Sequence, residues 1–356
     1  MQSLTGGGLL RNLKISSSRQ EADNWLSDCL IPVLVENLHL KSLVVDMNCI
    51  QTDTLTAPHQ HALSSLTLKG CGIKDHVLCS LLHLFPSLEE LHLTNCRLEV
   101  TSSCSRIQPS NLKILEFKSE IKENAEILLL YDLAKAATSL ERFIINPVLT
   151  SVLRTSPQNW MVPYLTTSLK SFTIKLEASL EQTFVTHFKN ISSVLQSLPS
   201  LREFGITILI YPKSGLSGPS PGGKYANELN TTLRNLVIPN WVKHLEFNLF
   251  NRSISRWLSV FDLLRSCCSK LDRLSLKSCV EDDFLDFLQR RKELLHQLPI
   301  LIRLTIEIDD YIEEGSGSDE PLGFLSTLEL REARESLSSA AAEANTDIYY
   351  RGTALL

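Results

Sequence analysis

Gly218-Pro219-Ser220-Pro221-Gly222-Gly223-Lys224-Tyr225 is the stretch of this chain that most resembles chemical machinery, because it matches the G-x-x-x-x-G-K pattern of a phosphate loop. Such a loop works by aiming backbone N–H groups at phosphate oxygens, with a Ser or Thr after the lysine holding magnesium. Pro219 and Pro221 have no N–H to aim, and Tyr225 stands in the metal-ligand place, so the residues read as a surface loop. Cys71, His76, Cys79 and His83 lie close together but lack the paired short spacings of structural zinc. His59 and His61 have no third ligand nearby. Cys267-Cys268 has no base partner to make either sulfur a nucleophile. The adjacent carboxylates Asp282-Asp283 and Asp309-Asp310 diverge into solvent in a helix or loop. The N-x-S/T sequons at Asn190, Asn230 and Asn251 matter only in a secreted chain. The sequence thus predicts no enzyme, no catalytic residue, no cofactor and no bound metal.

The pattern that organises these residues is a repeat. A phrase of three apolar positions, L-x-x-L-x-L, begins at Leu10, Leu40, Leu63, Leu88, Leu112, Leu140, Leu169, Leu201, Val242, Leu271, Leu301 and Leu325. Inside each copy apolar and polar residues alternate, as in Leu66-Thr67-Leu68-Lys69, which is the period of a strand with one buried face. Between copies the period becomes helical. In Asp75 to Leu84 the apolar stripe runs Val77, Leu78, Leu81, Leu82, Leu84 and ends before Pro86. The same switch is expected at Ala22 to Leu38, Glu123 to Ala137, Glu181 to Leu198, Trp257 to Cys267 and Asp283 to Leu298. Parallel strands joined by return helices stack side by side. The expected fold is therefore α/β, a solenoid with its parallel sheet on the concave face, its helices on the convex face and about 12 repeats.

At 356 residues the chain exceeds the usual size of one compact core, but a solenoid core lengthens unit by unit. The expectation is a single domain over 1–356, with inserted loops at 211–224 and 309–321 and a C-terminal cap at 331–356 that includes a short strand at Ile348 to Tyr350. A 43% hydrophobic and 21% charged composition argues against disorder. No run of about 18 uncharged apolar residues is present, so no membrane span is expected. Residues 1–15 carry Arg11 and Lys14 inside their apolar stretch, the wrong order for a secretory signal. Nine cysteines, an odd number, without such a signal point to reduced thiols and a cytoplasmic or nuclear protein. The net charge of -5 is unevenly spread: from Glu281 onward 17 acidic and 7 basic residues give -10, leaving +5 on residues 1–280.

Residues 63–96 carry a finer likeness. Cys71, Cys96 and Cys279 each fall three places past the last strand leucine, and Pro-Ser-Leu precedes the strand at Pro86-Ser87-Leu88 and Pro199-Ser200-Leu201. This stretch resembles the leucine-rich repeats of the ribonuclease-inhibitor-like superfamily, and among them the cysteine-containing repeats of F-box proteins. The likeness is tight over 40–115 and 271–306 and loose elsewhere, where Glu120, Val148, Glu177 and Phe250 fill the Asn or Cys position. It implies a protein-interaction scaffold, the substrate-recognition part of a ubiquitin ligase of the SCF type. The first copy, at Leu10, leaves no room for an F-box, so the ligase adaptor would be met through a missing N-terminal region. The alternative is a free-standing recognition module, a fragment of an innate immune receptor, or an inhibitor.

The polar positions of the strands define the expected contact surface. Those between and after the apolar residues yield Lys69, His92, Thr94, Glu116, Lys118, Asn146, Lys175, Glu246, Asn248 and Lys277 as partner-binding residues on the concave face. Lys69, Lys118, Lys175 and Lys277 form a spaced basic ladder suited to an acidic segment of a protein ligand. Nucleic acid is not expected, since the pI is near 6.0 and no aromatic platform interleaves the lysines.

Overall fold

The computed structural model describes residues 11–17, 39–47, 62–100, 111–121, 124–149, 168–179, 191–211, 236–250, 271–279, 303–308 and 347–351. They belong to two compact units, 1–175 and 176–356. In chain order the first contains β1 (Asn12–Ser17), β2 (Ser42–Met47), β3 (Ser65–Lys69), β4 (Gly72–Lys74), α1 (Asp75–Leu84), β5 (Glu90–Thr94), β6 (Arg97–Glu99), β7 (Ile114–Ile121), α2 (Asn124–Ala136), β8 (Arg142–Leu149) and the start of β9 (Ser171–Ser179). Its main sheet runs β1-β2-β3-β5-β7-β8-β9, and β4 pairs with β6 in a separate two-stranded ladder. The pairings from β1 through β8 are parallel. Parallel neighbours cannot be joined by a hairpin, so the chain must return between strands. α1 makes that return between β3 and β5, and α2 between β7 and β8.

The strands follow from alternation. Leu66 and Leu68 of β3, Leu91 and Leu93 of β5, Leu115 and Phe117 of β7, and Phe143 and Ile145 of β8 are all at most 1% exposed. In register they stack as Leu66, Leu91, Leu115, Phe143 and as Leu68, Leu93, Phe117, Ile145. Each such side chain removed from water contributes roughly 1.5–3 kcal/mol. Further along, Phe143 stacks on Phe172 of β9 at 5.9 Å between ring centres, and Tyr131 of α2 meets Phe143 edge-on at 6.1 Å. Burial pushes the Tyr131 phenol upward, so it stays neutral.

α1 forms where the helical stripe predicts. It buries Val77, Leu78, Leu81, Leu82 and Leu84 against the sheet side of the unit, with Asp75 buried at its start. The Asp75 carboxylate accepts the His76 backbone N–H at 2.8 Å, satisfying one of the donors a helix start leaves open. Phe85 N–H donates to the Leu81 carbonyl at 3.0 Å, and Pro86 then ends the helix. α2 spans Asn124–Ala136, within one residue of expectation at each end.

The path of the chain beyond each strand depends on a single position. Gly70 (φ 68°) and Asn95 (φ 53°) occupy the same place in successive copies and take the left-handed conformation. Glycine adopts it without a Cβ clash, and asparagine more readily than most residues. There the chain turns out of the main sheet and makes the short β4 and β6, paired Gly72 to Arg97 through Lys74 to Glu99. The next copy has Ser119 in that place, and β7 runs on to Ile121.

The second unit repeats the scheme with β10 (Glu203–Tyr211), β11 (His244–Phe250), β12 (Arg273–Cys279), β13 (Arg303–Ile308) and β14 (Asp347–Arg351), ordered as numbered and parallel throughout. Residues 191–196 are helical. Trp241 anchors the entry to β11 by donating its indole N–H to the Leu198 carbonyl at 2.9 Å. β14 covers the short strand expected at Ile348 to Tyr350. The fold is thus α/β, dominated by parallel sheet, with few helices among the described residues. The helices expected at Ala22 to Leu38, Trp257 to Cys267 and Asp283 to Leu298 lie outside those residues. So do the copy at Leu325, the loop at 309–321, the loop at 211–224 beyond Tyr211, and the cap at 331–356 apart from β14. Among the described residues no helix is long and apolar enough to cross a membrane.

Candidate functional site

The outward positions of the first unit form a grid set by strand register. One row runs Asp46, Lys69, Thr94, Lys118, Asn146 across β2, β3, β5, β7 and β8. The row beside it runs Val44, Thr67, His92, Glu116, Ile144. Ser171 N–H bonds to the Glu141 carbonyl as Arg142 N–H bonds to that of Lys113, which carries the register into β9 and sets Lys175 beside Asn146. Lys69, Lys118, Asn146 and Lys175 therefore share one line although they span more than a hundred residues of sequence.

The grid has a charged centre. Glu116 accepts a 2.6 Å hydrogen bond at Oε2 from His92 Nδ1 and a 2.6 Å ion pair at Oε1 from Lys118 Nζ. His92 Nε2 also stands 3.7 Å from Glu90 Oε2. Cross-strand register brings His92 to Glu116, and the two-residue step along β7 places Lys118 on the same face. The Glu116 carboxyl is held down at about 2, first by the His92 hydrogen bond and further by Lys118, against partial burial that pushes the other way. Glu116 is thus a fixed anion at any ordinary pH, with its charge already matched by its neighbours.

A carboxylate-oriented imidazole can serve a hydrolase, so the neighbours of His92 decide what this one does. Thr67 is its register partner, but no Thr67 hydrogen bond to His92 is formed, and Nε2 faces a second carboxylate instead of a hydroxyl. Lys69 makes no ion pair among the described residues and stands in register beside Asp46 of β2. Asn146 Oδ1 is occluded without a hydrogen-bond partner. Ile144, though it faces outward, is 5% exposed.

Of the sequence-predicted residues, Lys69, His92, Thr94, Glu116, Lys118, Asn146 and Lys175 come together on this face. Glu246, Asn248 and Lys277 belong to the second unit, where β11 and β12 pair Glu246 with Ser275 and Asn248 with Lys277. The side chains of Asn248 and Lys277 lie outside the described residues. Sequence reading named His92, Glu116 and Lys118 as separate positions and missed that they form one cluster. The signal available was their matching places in consecutive copies.

The cysteines behave as packing residues at the strand exits. Cys71 and Cys96 are free and buried. Cys71 Sγ–H donates to the Lys69 carbonyl at 3.2 Å, and Cys96 Sγ–H to the Leu68 carbonyl at 3.2 Å. The neighbouring Cys71 thiol lowers the Cys96 thiol below its usual value, against the opposing effect of burial. The Cys96 backbone N–H donates to Ser119 Oγ at 2.6 Å, so the serine in the turn position of the next copy closes a buried donor. Cys79 is disulfide-bonded, which corrects the expectation of reduced thiols at that position. Among the described residues no group of three or more His, Cys, Asp or Glu side chains could hold a metal ion.

No protein-family model and no curated protein sequence matches this chain.

Proposed function

We propose that this chain is a protein-recognition scaffold of the leucine-rich repeat kind, a solenoid of about 12 repeats that is not an enzyme. Its outward sheet face in the first unit would take an acidic segment of a protein ligand. The observation that carries the reading is the register-aligned row Lys69, Thr94, Lys118, Asn146, Lys175, raised on strands whose other face is fully buried. A row of cations and hydrogen-bond donors on a rigid sheet attracts and orients an anionic chain. In the sense of the repeats it resembles, the scaffold would present a substrate to an SCF-type ubiquitin ligase in the cytoplasm or nucleus. Reversing Lys69, Lys118 and Lys175 together to glutamate should abolish capture of partners that the unaltered chain retains in a pull-down. Undiminished capture by the triple variant would refute the assignment of this face, and copurification of the ligase adaptor tests the ligase link separately.

The second reading, a free-standing recognition module, is favoured by the Cys79 disulfide, which is at home in an oxidising compartment. Counting alkylatable thiols by mass, with and without reductant on freshly isolated protein, separates the two. A count unchanged by reductant removes this support.

A further inference from the structure

We propose that Cys71 and Cys96 form a peroxide-sensitive thiol pair, which closes into a disulfide between two successive strand exits and opens again under a thiol reductant. The inference goes beyond the proposed function and does not rest on it. The two residues leave their strands in the same way: Gly70 (φ 68°) and Asn95 (φ 53°) turn the chain, and the cysteine that follows each is buried. Beyond the turns Gly72 lies in register with Arg97, and the Arg97 N–H donates to the Cys71 carbonyl at 2.8 Å. Cys71 therefore stands beside Cys96, one step back along the β4–β6 ladder. Neighbouring strands are about 4.8 Å apart, inside the roughly 4.4–6.8 Å between Cα atoms that a disulfide spans. The two sulfurs also share one anchorage, since Cys71 Sγ–H donates to the Lys69 carbonyl and Cys96 Sγ–H to that of Leu68, consecutive residues at the end of β3.

Two sulfurs held together can take up a metal ion or share a bond. Among the described residues no third His, Cys, Asp or Glu completes a metal site around them, so the bond is the chemistry the pair can finish by itself. Cys96 is the attacking sulfur, because Cys71 lowers its thiol against the effect of burial and so enriches the thiolate. Cys71 is 1% exposed and Cys96 3%, which selects a small neutral oxidant, hydrogen peroxide. Its way in is short: Asn95 and Arg97 on either side of Cys96 are exposed, and the three-residue strands β4 and β6 are the kind of element that opens locally. The Cys96 thiolate attacks one peroxide oxygen, the O–O bond breaks, a sulfenic acid forms on Cys96, and the hydroxide released takes up the thiol proton as water. The Cys71 sulfur then attacks that of Cys96, the S–O bond breaks, and the departing hydroxide leaves with the Cys71 proton as a second water. Two thiols are thus oxidised to one disulfide while one peroxide is reduced to two waters. Closure withdraws the S–H donors from the carbonyls of Lys69, Leu68 and Thr94, and that loss keeps the bond reducible. It also closes a covalent loop around α1, which lies between the two cysteines in sequence.

The test treats the full chain with hydrogen peroxide at neutral pH, blocks remaining thiols by alkylation, and digests with trypsin and a glutamate-specific protease. Cleavage after Lys69, Lys74, Glu90 and Arg97 separates Cys71 and Cys96 from each other and from Cys79. Mass spectrometry should find the Cys71 and Cys96 peptides joined, two hydrogens lighter than their sum, and parted again by dithiothreitol. Amide exchange at Leu78, Leu81 and Leu82 should be about tenfold slower in the bridged chain than in the reduced one. Cys96→Ser should leave Cys71 alkylatable after peroxide, whereas Cys71→Ser should carry Cys96 on to the sulfinic acid, two oxygens heavier. Several results would overturn the proposal: no joined peptide after peroxide, a bridge from either residue to Cys79 instead, a bridge already complete before peroxide is added, or α1 exchange that is the same in both forms. The joined peptide is sought in the unaltered chain, so the outcome does not depend on either variant folding.

Discussion

Replacing Glu116 with glutamine removes one charge from the centre of the grid while keeping the side chain's shape. Glu116 is held at about 2 against an ordinary 4.5, so in the folded chain its proton is bound less tightly than in the unfolded one. A depressed carboxylate contributes stability that is fully present above the unfolded value and disappears as pH falls through the folded value. The window is therefore pH 4.5 down to about 2. A shift of this size corresponds to about 3 kcal/mol at most. The Lys118 ammonium is 47% exposed, so solvent and salt reduce its share, and about 2 kcal/mol is the expected effect. Urea unfolding followed by circular dichroism at a series of pH values should show the wild-type chain losing about 2 kcal/mol more than Glu116→Gln between pH 5 and 2. Around pH 7 the variant should be weaker by the same amount, with part of the gap closing in 1 M salt. A carboxyl-detected NMR titration should place the Glu116 midpoint near 2. Parallel pH curves for the two proteins, or a Glu116 midpoint near 4.5, would refute the claim that His92 and Lys118 hold this charge.

Two further outcomes concern the strand exits. Ser119→Ala strands the buried Cys96 N–H and should cost about 1–3 kcal/mol in urea unfolding, whereas Ser119→Thr, which keeps the hydroxyl, should lose much less. At Asn95, held at φ 53°, a change to glycine should be neutral or mildly stabilising and a change to valine should cost about 1–2 kcal/mol; equal melting temperatures for the two variants would contradict the left-handed turn.

The elements were legible in the sequence wherever one physical signal dominated. Alternation placed β3, β5 and β7, and the Val77 to Leu84 stripe with Pro86 after it placed α1 to the residue. These are local patterns, and local burial is enough to enforce them. The β4–β6 ladder was not anticipated, because two three-residue strands carry only Ile73 and Leu98 as apolar marks, and their pairing depends on the turns at Gly70 and Asn95. The extension of β7 to Ile121 was missed for the converse reason, as Ser119 is a turn-permissive residue that the fold uses as a hydrogen-bond acceptor. Individual site residues could be read by counting from each leucine phrase. Their joining into a His92–Glu116–Lys118 cluster could not be read that way, since it depends on the register of strands 24 residues apart.

In the first unit the spatial order of the main-sheet strands is also their order of synthesis. Each strand's partner is the one made about one copy earlier, so no pairing waits for a distant part of the chain. Closure of such short loops costs little entropy and favours rapid docking. A chain emerging from the ribosome can add β5 to β3, then β7 to β5, and has at any moment a single growing edge to protect. The Lys69 row is built in the same sequence, one cation for every second strand added, so a chain halted early presents a shortened version of the same row.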